Sequence, residues 1–307
     1  MDHLPPQPQA LPANNRPANN QPATNGMPKN RVAQNFGQAS HHYDAQANLQ
    51  GLVAHRLAQA ILATQPPRGQ IVLEIGGGTG GLTQRLLPAL QPCTYLFSDL
   101  SWPMVTRARL KRLTPPFDLS PPHIPPSQIS LPDFKSGIGD GIGDGNVHWM
   151  VMDGELPALP AASVDLVVSS LAVQWFVDPA HSLPSLLRLL KPGGQLWFST
   201  LVQGSFDQWR RDCLRASLPI GLIPLLPIDG LLAMLQHGGA AVAGGVEAIN
   251  IAYPSALAFL QNLRAIGAHH PAPDHQPVNA GRLRQLLTTL PTPYLVDYHV
   301  WIGCVTV

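Results

Sequence analysis

The feature that most restricts this chain is the run Ile71-Val72-Leu73-Glu74-Ile75, which passes directly into Gly76-Gly77-Gly78-Thr79-Gly80-Gly81. A short stretch of branched apolar residues ended by a glycine cluster reads as a buried strand. Glycines at that point let backbone N–H groups approach a ligand where a Cβ would clash. A helical pattern follows over 81–90. Strand, glycine turn and helix in that order open a layered α/β sheet, with the ligand site at the carboxyl end of the strand.

The same rhythm continues along the chain. Strand-like runs fall at 94–98, 147–152, 164–170 and 195–201, the last after the turn Lys191-Pro192-Gly193-Gly194. Helical patterns fall at 103–112 and 179–190. Upstream, Leu49, Leu52, Val53, Leu57, Ala60 and Ile61 recur at three- and four-residue steps, giving an amphipathic helix that ends before Pro66-Pro67. Continuously apolar strands alternating with helices indicate parallel strands covered on both faces, a doubly wound α/β sheet. Beyond residue 203 the pattern is mainly helical (205–216, 229–237, 255–266), interrupted by a strand at 246–252 and closed by one at 294–307.

Composition separates this body from two other segments. Of 33 prolines, seven fall in residues 1–28 and seven more between Pro115 and Pro132. Residues 1–29 are rich in Pro, Asn, Gln and Ala and read as a disordered tail. Residues 114–146 read as a flexible Pro- and Gly-rich insertion. Its two Gly-Ile-Gly-Asp copies resemble calcium-binding turns only superficially, because two copies cannot build a stacked roll. The remainder, at 45% apolar overall, has ample material for a core.

Nineteen basic against eighteen acidic side chains, with no Lys/Arg run, leave no nucleic-acid footprint. Cys93, Cys213 and Cys304 are far apart and lack CxxC spacing, which argues against a zinc site or disulfide scaffold and suits a reducing cytoplasm. Residues 1–28 have no apolar core of a signal peptide, and no run approaches the ~18 apolar residues of a membrane span.

The glycine segment allows two readings. Gly76, Gly78 and Gly81 fit the dinucleotide fingerprint GxGxxG, while Glu74, Gly76, Gly78 and Gly80 fit the acidic-x-G-x-G-x-G pattern of S-adenosylmethionine (SAM) methyltransferases. A carboxylate at Glu74 would face the cationic methionine end of SAM but would repel a pyrophosphate. Asp99 ends the second strand, where a carboxylate accepts ribose hydroxyls in either ligand class. Asp153 follows the third strand and can accept from an adenine amino group. No acid–base pair for hydride transfer appears downstream, so a dehydrogenase is disfavoured.

The chain resembles the class I SAM-dependent methyltransferases, and within them the malonyl-[acyl-carrier protein] O-methyltransferase family of biotin synthesis. VAQNFGQASHHYDAQANLQ (32–50), VLEIGGGTG (72–80), SDLSWPMVTRAR (98–109), MDGELPALP (152–160), the stretch 164–209, ALAFLQNLRAIGAHH (256–270) and DYHVWIG (297–303) carry the resemblance. Within it, SSLAVQW, FSTLVQGSF and LRAIGA are the specific signals, because they lie outside the cofactor motif. Glu74 stands where the family usually has Asp, and the 114–146 insertion lengthens the connection before the third strand.

The resemblance implies a Rossmann-like seven-stranded sheet, mostly parallel with an antiparallel last strand, within one methyltransferase domain over 30–307. It also implies a lid made of N-terminal helices (30–64) and the 203–290 region. SAM is the implied co-substrate, held by Glu74, Gly76, Gly78, Gly80, Asp99, Met104, Asp153, Gly154 and Ser169. The implied partner is acyl carrier protein bearing a malonyl group, or malonyl-CoA, whose free carboxylate becomes the methyl ester that primes pimeloyl synthesis.

A carboxylate is already ionised at neutral pH and needs no catalytic base, so the protein's task is positioning and water exclusion. Tyr43, Gln174, Trp175 and Arg264 are the candidate substrate contacts, Arg264 as a bidentate partner for the malonyl carboxylate. No metal is assigned to His41, His42, His269 and His270, since adjacent histidines on a helix point in different directions. A methyltransferase for a small free acid of the trans-aconitate type, or a SAM-binding protein without turnover, remain the alternatives.

Overall fold

The structure, a computed structural model, describes residues 29–67, 69–113, 146–236, 240–269 and 278–307. Apart from Lys29 and Asn146, the expected tail and insertion lie outside the described residues. Seven strands form one sheet: β1 (Ile71–Glu74), β2 (Thr94–Asp99), β3 (Val147–Val151), β4 (Val164–Ser170), β5 (Leu190–Leu201), β6 (Ala241–Tyr253) and β7 (Tyr294–Thr306). Their order is β3-β2-β1-β4-β5-β7-β6, with every pair from β3 to β5 parallel and β7 antiparallel to both neighbours. The chain adopts the expected doubly wound fold with its antiparallel last strand.

Among the described residues ten α-helices accompany the sheet: α1 (Lys29–Ala39), α2 (Tyr43–Gln46), α3 (Asn48–Ala63), α4 (Thr83–Leu90), α5 (Trp102–Leu113), α6 (Pro179–Leu187), α7 (Asp207–Arg215), α8 (Ile228–Leu235), α9 (Ala256–Ala265) and α10 (Ala280–Thr289). Strand periodicity divides the core. In β1, Val72 packs with Leu57 of α3 and Leu86 of α4, whereas Leu73 turns to the other face, among Leu183 of α6 and Leu231 of α8. Burying each such side chain is worth ~1.5–3 kcal/mol.

Two details depart from the sequence pattern. Leu52, expected on the buried stripe of α3, is exposed; the 3.6-residue period carries Leu49, Val53, Leu57 and Ile61 inward and leaves Leu52 aside. Strand β5 begins at Leu190, ahead of the expected turn, with a register shift opposite Val164 and Leu166. Lys191 anchors that irregularity, its Nζ donating to both oxygens of Asp165 at 3.0 Å.

Helices α1, α2 and α9 cover the carboxyl ends of the strands. Gly267, within LRAIGA, sits at φ +76°, and a Cβ there would lie 2.8 Å from the carbonyl oxygen of Asn35 in α1. The glycine thus lets the end of α9 touch the backbone of α1.

Candidate active site

A cavity opens at the carboxyl ends of β1, β2 and β3, and Gly76, Gly78, Asp99, Met104, Asp153 and Gly154 line it. Gly76 has φ +62°, and a Cβ there would meet the Ala172 Cβ at 2.4 Å, so only glycine makes this turn. Above Gly78 the space a Cβ would enter is open. The Gly78 N–H donates to Asp99 Oδ2 at 2.9 Å and the Ser101 N–H to Oδ1 at 2.8 Å, fixing the carboxylate at the cavity wall. Burial pushes the Asp99 carboxyl up to about 6, and those two N–H donors oppose the shift. Each oxygen keeps a further lone pair for a ligand hydroxyl.

The mouth is strapped by α1. Lys29 Nζ lies 2.6 Å from Asp153 Oδ2 and 2.8 Å from Glu155 Oε2. Glu155 also accepts from the N–H groups of Val177 (3.0 Å) and Asp178 (2.9 Å) and from the Ser182 hydroxyl (2.8 Å). Burial alone would raise its carboxyl; Lys29 and these donors outweigh it and hold the group below its ordinary value. Helix α2 is fastened in turn: Asp44 accepts from the Thr79 hydroxyl of the glycine loop at 2.6 Å and pairs with Lys111 of α5.

A second, apolar chamber lies against the first. Phe36, Tyr43, Leu171 and Trp175 line both spaces and form the wall between them. Phe36 packs edge-on to Trp175 with centroids 5.3 Å apart and tilts against Tyr43 at 6.3 Å. Burial, then the negative charges of Asp99 and Asp44, raise the Tyr43 phenol well above its ordinary value, so it stays a neutral donor. None of the side chains lining this chamber carries a charge among the described residues. Tyr253, Asn262 and Tyr298 supply its polar groups on the side formed by β6, α9 and β7.

Of the candidates from the sequence, Gly76, Gly78, Asp99, Met104, Asp153 and Gly154 meet in the first cavity, and Tyr43 and Trp175 stand in the shared wall. Others are placed elsewhere. Glu74 shares the α3/α4 face with Val72 and is 1% exposed. Its Oε2 accepts from Tyr95 at 2.6 Å and from Thr83 at the start of α4, so it faces the core beneath the glycine loop, not the cavity. Burial pushes its carboxyl up to about 7, against the pull of these two hydroxyls.

Gly80 lies past the cavity at the entry to α4, its carbonyl accepting from the Gln84 N–H at 3.0 Å. Ser169 is fully buried in β4, and strand alternation gives the cavity Ser170 instead. Gln174 borders the chamber, but its amide is held by the Leu171 carbonyl (2.6 Å) and the Thr200 hydroxyl (3.2 Å). Arg264 is exposed and lines neither space, because α9 buries Ala256, Phe259 and Leu263 and the next residue swings about 100° away. His269 sits 3.3 Å from the Asn35 amide, and His270 lies outside the described residues.

The sequence reading missed Phe36, Lys29, Asp44, Glu155 and the Tyr253–Tyr298–Asn262 group. Phe36 and Asp44 lie within the 32–50 stretch, which was legible as a unit, but their partners are remote in sequence. A cavity with a paired carboxylate for a vicinal diol, an open glycine cradle and a second carboxylate beyond suits the nucleoside of SAM.

The comparisons agree with this geometry. A methyltransferase-domain family matches residues 73–196. A malonyl-[acyl-carrier protein] O-methyltransferase of Magnetococcus marinus is 35% identical over 281 residues, covering 90% of this chain and 92% of its own length. One from Erwinia billingiae is 30% identical, covering 90% and 96%. A biotin biosynthesis bifunctional protein of Bordetella avium is 33% identical over 85% of this chain, which spans 49% of that longer protein. Among solved structures, the YcgJ protein of Bacillus subtilis matches with TM-score 0.54 at 16% identity, over 82% of this chain and 98% of that one. A chain of the Haloferax volcanii complex between the Trm112 methyltransferase activator and its methyltransferase matches with TM-score 0.53 at 17% identity, over 90% and 96%. At these identities the structures support the fold alone.

Proposed function

The chain belongs to the malonyl-[acyl-carrier protein] O-methyltransferase family, and on that premise we propose that it methylates the free carboxylate of a malonyl group carried as a thioester on acyl carrier protein, in the biotin pathway of the cytoplasm. SAM supplies an electrophilic methyl group on a positively charged sulfur. The observation that carries the reading is the pair of spaces divided by Phe36, Tyr43, Leu171 and Trp175: one is walled by glycine backbone and carboxylates, the other by apolar side chains.

Asp99 accepts the ribose hydroxyls, Asp153 accepts from the adenine amino group, and Gly76 and Gly78 give the backbone its close approach. Glu74 is a positioning residue; it holds Tyr95 and Thr83 beneath the loop. In the chamber a malonyl carboxylate arrives ionised, so no residue has to remove a proton from it. Tyr43 donates to it and Trp175 walls the transfer path, where Phe36 and Trp175 exclude water.

Mass spectrometry of the purified protein with SAM and malonyl carrier protein should show one methyl group added to the malonyl moiety. If trans-aconitate outcompeted malonyl carrier protein in a side-by-side kcat/KM assay, a small-acid methyltransferase would replace this reading.

A further inference from the structure

The chamber beside the aromatic wall shows an imbalance. It is long enough to touch residues from α1, α3, α9, β6 and β7, yet among the described residues it offers no cation to an incoming anion. One carboxylate at the wall is matched by the charge of the cofactor's sulfur. A second, deeper carboxylate would be stripped of water with nothing to offset it, at a cost of several kcal/mol.

What the far side does offer is neutral. The Tyr253 and Tyr298 hydroxyls are 2.8 Å apart, and Tyr253 reaches Asn262 Oδ1 at a long 3.4 Å. Asn262 is itself steadied from α2, its Nδ2 donating to the Gln46 carbonyl at 2.8 Å. Tyr298 is 3% exposed, and its ring stands edge-on to Phe206 with centroids 5.1 Å apart, which fixes the direction of its hydroxyl.

Two facing hydroxyls share a single hydrogen between their oxygens, so the second proton must go elsewhere. Among the described residues its protein acceptor is Asn262, at a stretched contact. A carbonyl oxygen entering the chamber would be a better acceptor for that proton than an amide oxygen at 3.4 Å.

We propose that Tyr253 and Tyr298, steadied by Asn262, hold the thioester carbonyl of the substrate, and that this neutral donor pair in an uncharged chamber selects singly charged acyl thioesters over free di- and tricarboxylic acids. The inference rests on the functional reading above and assigns it a specificity determinant. The carboxylate is met at the aromatic wall, and the part of the substrate that differs between a thioester and a free acid is met by the tyrosine pair.

The test uses the full chain with Tyr253→Phe, Tyr298→Phe and the double variant. Each keeps the ring and removes one hydroxyl, and unchanged melting temperatures establish that packing survives. The double variant should raise KM for malonyl carrier protein and malonyl-CoA about tenfold, the scale of one lost hydrogen bond, with kcat within twofold of wild type. SAM affinity by isothermal titration should not move, because neither tyrosine lines the cofactor cavity. Titration of malonyl-CoA into the protein without SAM should show the same loss without turnover. The wild-type preference for malonyl-CoA over free malonate should shrink by the same factor.

A folded double variant with wild-type KM, or one that loses thioester and free malonate equally, overturns the inference while leaving the functional reading in place. A wild-type protein that does not methylate a malonyl thioester overturns both.

Discussion

At the scale of single residues, the carboxylates at the strand ends divide their work according to which way each strand turns them. Asp99 ends β2 at the cavity wall and is held by two backbone N–H donors, so it presents its remaining lone pairs to a ligand. Glu74, two residues before the first glycine, faces the core and serves the loop from below. Its Oε2 accepts from the Tyr95 hydroxyl at 2.6 Å. Because the Asp99 carboxyl is pushed up to about 6 by burial, and hydroxyl donors require the ionised form, SAM affinity should fall as pH drops through 6. The ionised fraction gives about a tenfold loss between pH 7.5 and pH 5. Asp99→Ala should weaken SAM binding by ~1–3 kcal/mol at neutral pH and flatten that dependence. Isothermal titration across this pH range measures both; an unchanged affinity removes Asp99 from the site.

At the scale of elements, a few polar pairs tie down α1, α2 and α9, which also bury Val32, Ala256, Phe259 and Leu263. Lys29 straps α1 to the β3 loop, Asp44 ties α2 to the glycine loop and α5, and Asn262 ties α9 to Gln46 at the end of α2. Gly267 completes the set by letting α9 end against the α1 backbone. This gives LRAIGA a physical role: the motif lets α9 end against α1, and its arginine is exposed. Gly267→Ala would place a Cβ at a positive φ and within 3 Å of Asn35 and Phe36. It should destabilise the protein by ~1–3 kcal/mol and displace Phe36 from the aromatic wall, so kcat falls while the fold persists. Thermal melting and steady-state kinetics on the same variant check the pair; wild-type values for both would show the contact to be dispensable.

At the scale of the whole molecule, the sheet buries an apolar cluster on each of its two faces, and the two spaces of the candidate site lie beyond the carboxyl ends of its parallel strands. No helix among the described residues is long and apolar enough to cross a membrane. Lys29, the last residue of the segment read as tail, engages the site through Asp153 and Glu155. A chain lacking residues 1–28 should therefore keep its SAM affinity and its kcat/KM within about twofold, since that segment has too little apolar content to offset its ordering entropy. Loss of SAM binding on this truncation would make the segment part of the fold.

Much of this protein was legible in the linear text because the relevant interactions are local or periodic. The strand–glycine–helix unit at 71–90, the continuously apolar strands and the acids at their ends all follow from backbone sterics and the two-residue strand period. Matched stretches such as SSLAVQW and LRAIGA identified the family for the same reason: each is a contiguous run. What the sequence could not decide is direction and partnership across distance. Whether Glu74 faces ligand or core depends on β1 being flanked by Tyr95 and capped by Thr83, and Ser170 replaces Ser169 at the cavity because of one step in strand register. Arg264 looked like a carboxylate partner until the buried stripe of α9 turned it outward. The tyrosine pair joins β6 and β7, 45 positions apart, with nothing in either segment to announce the other. Only close packing of the tertiary structure brings such groups within hydrogen-bonding distance, because the chain's local rules constrain how each segment folds and not which segments meet.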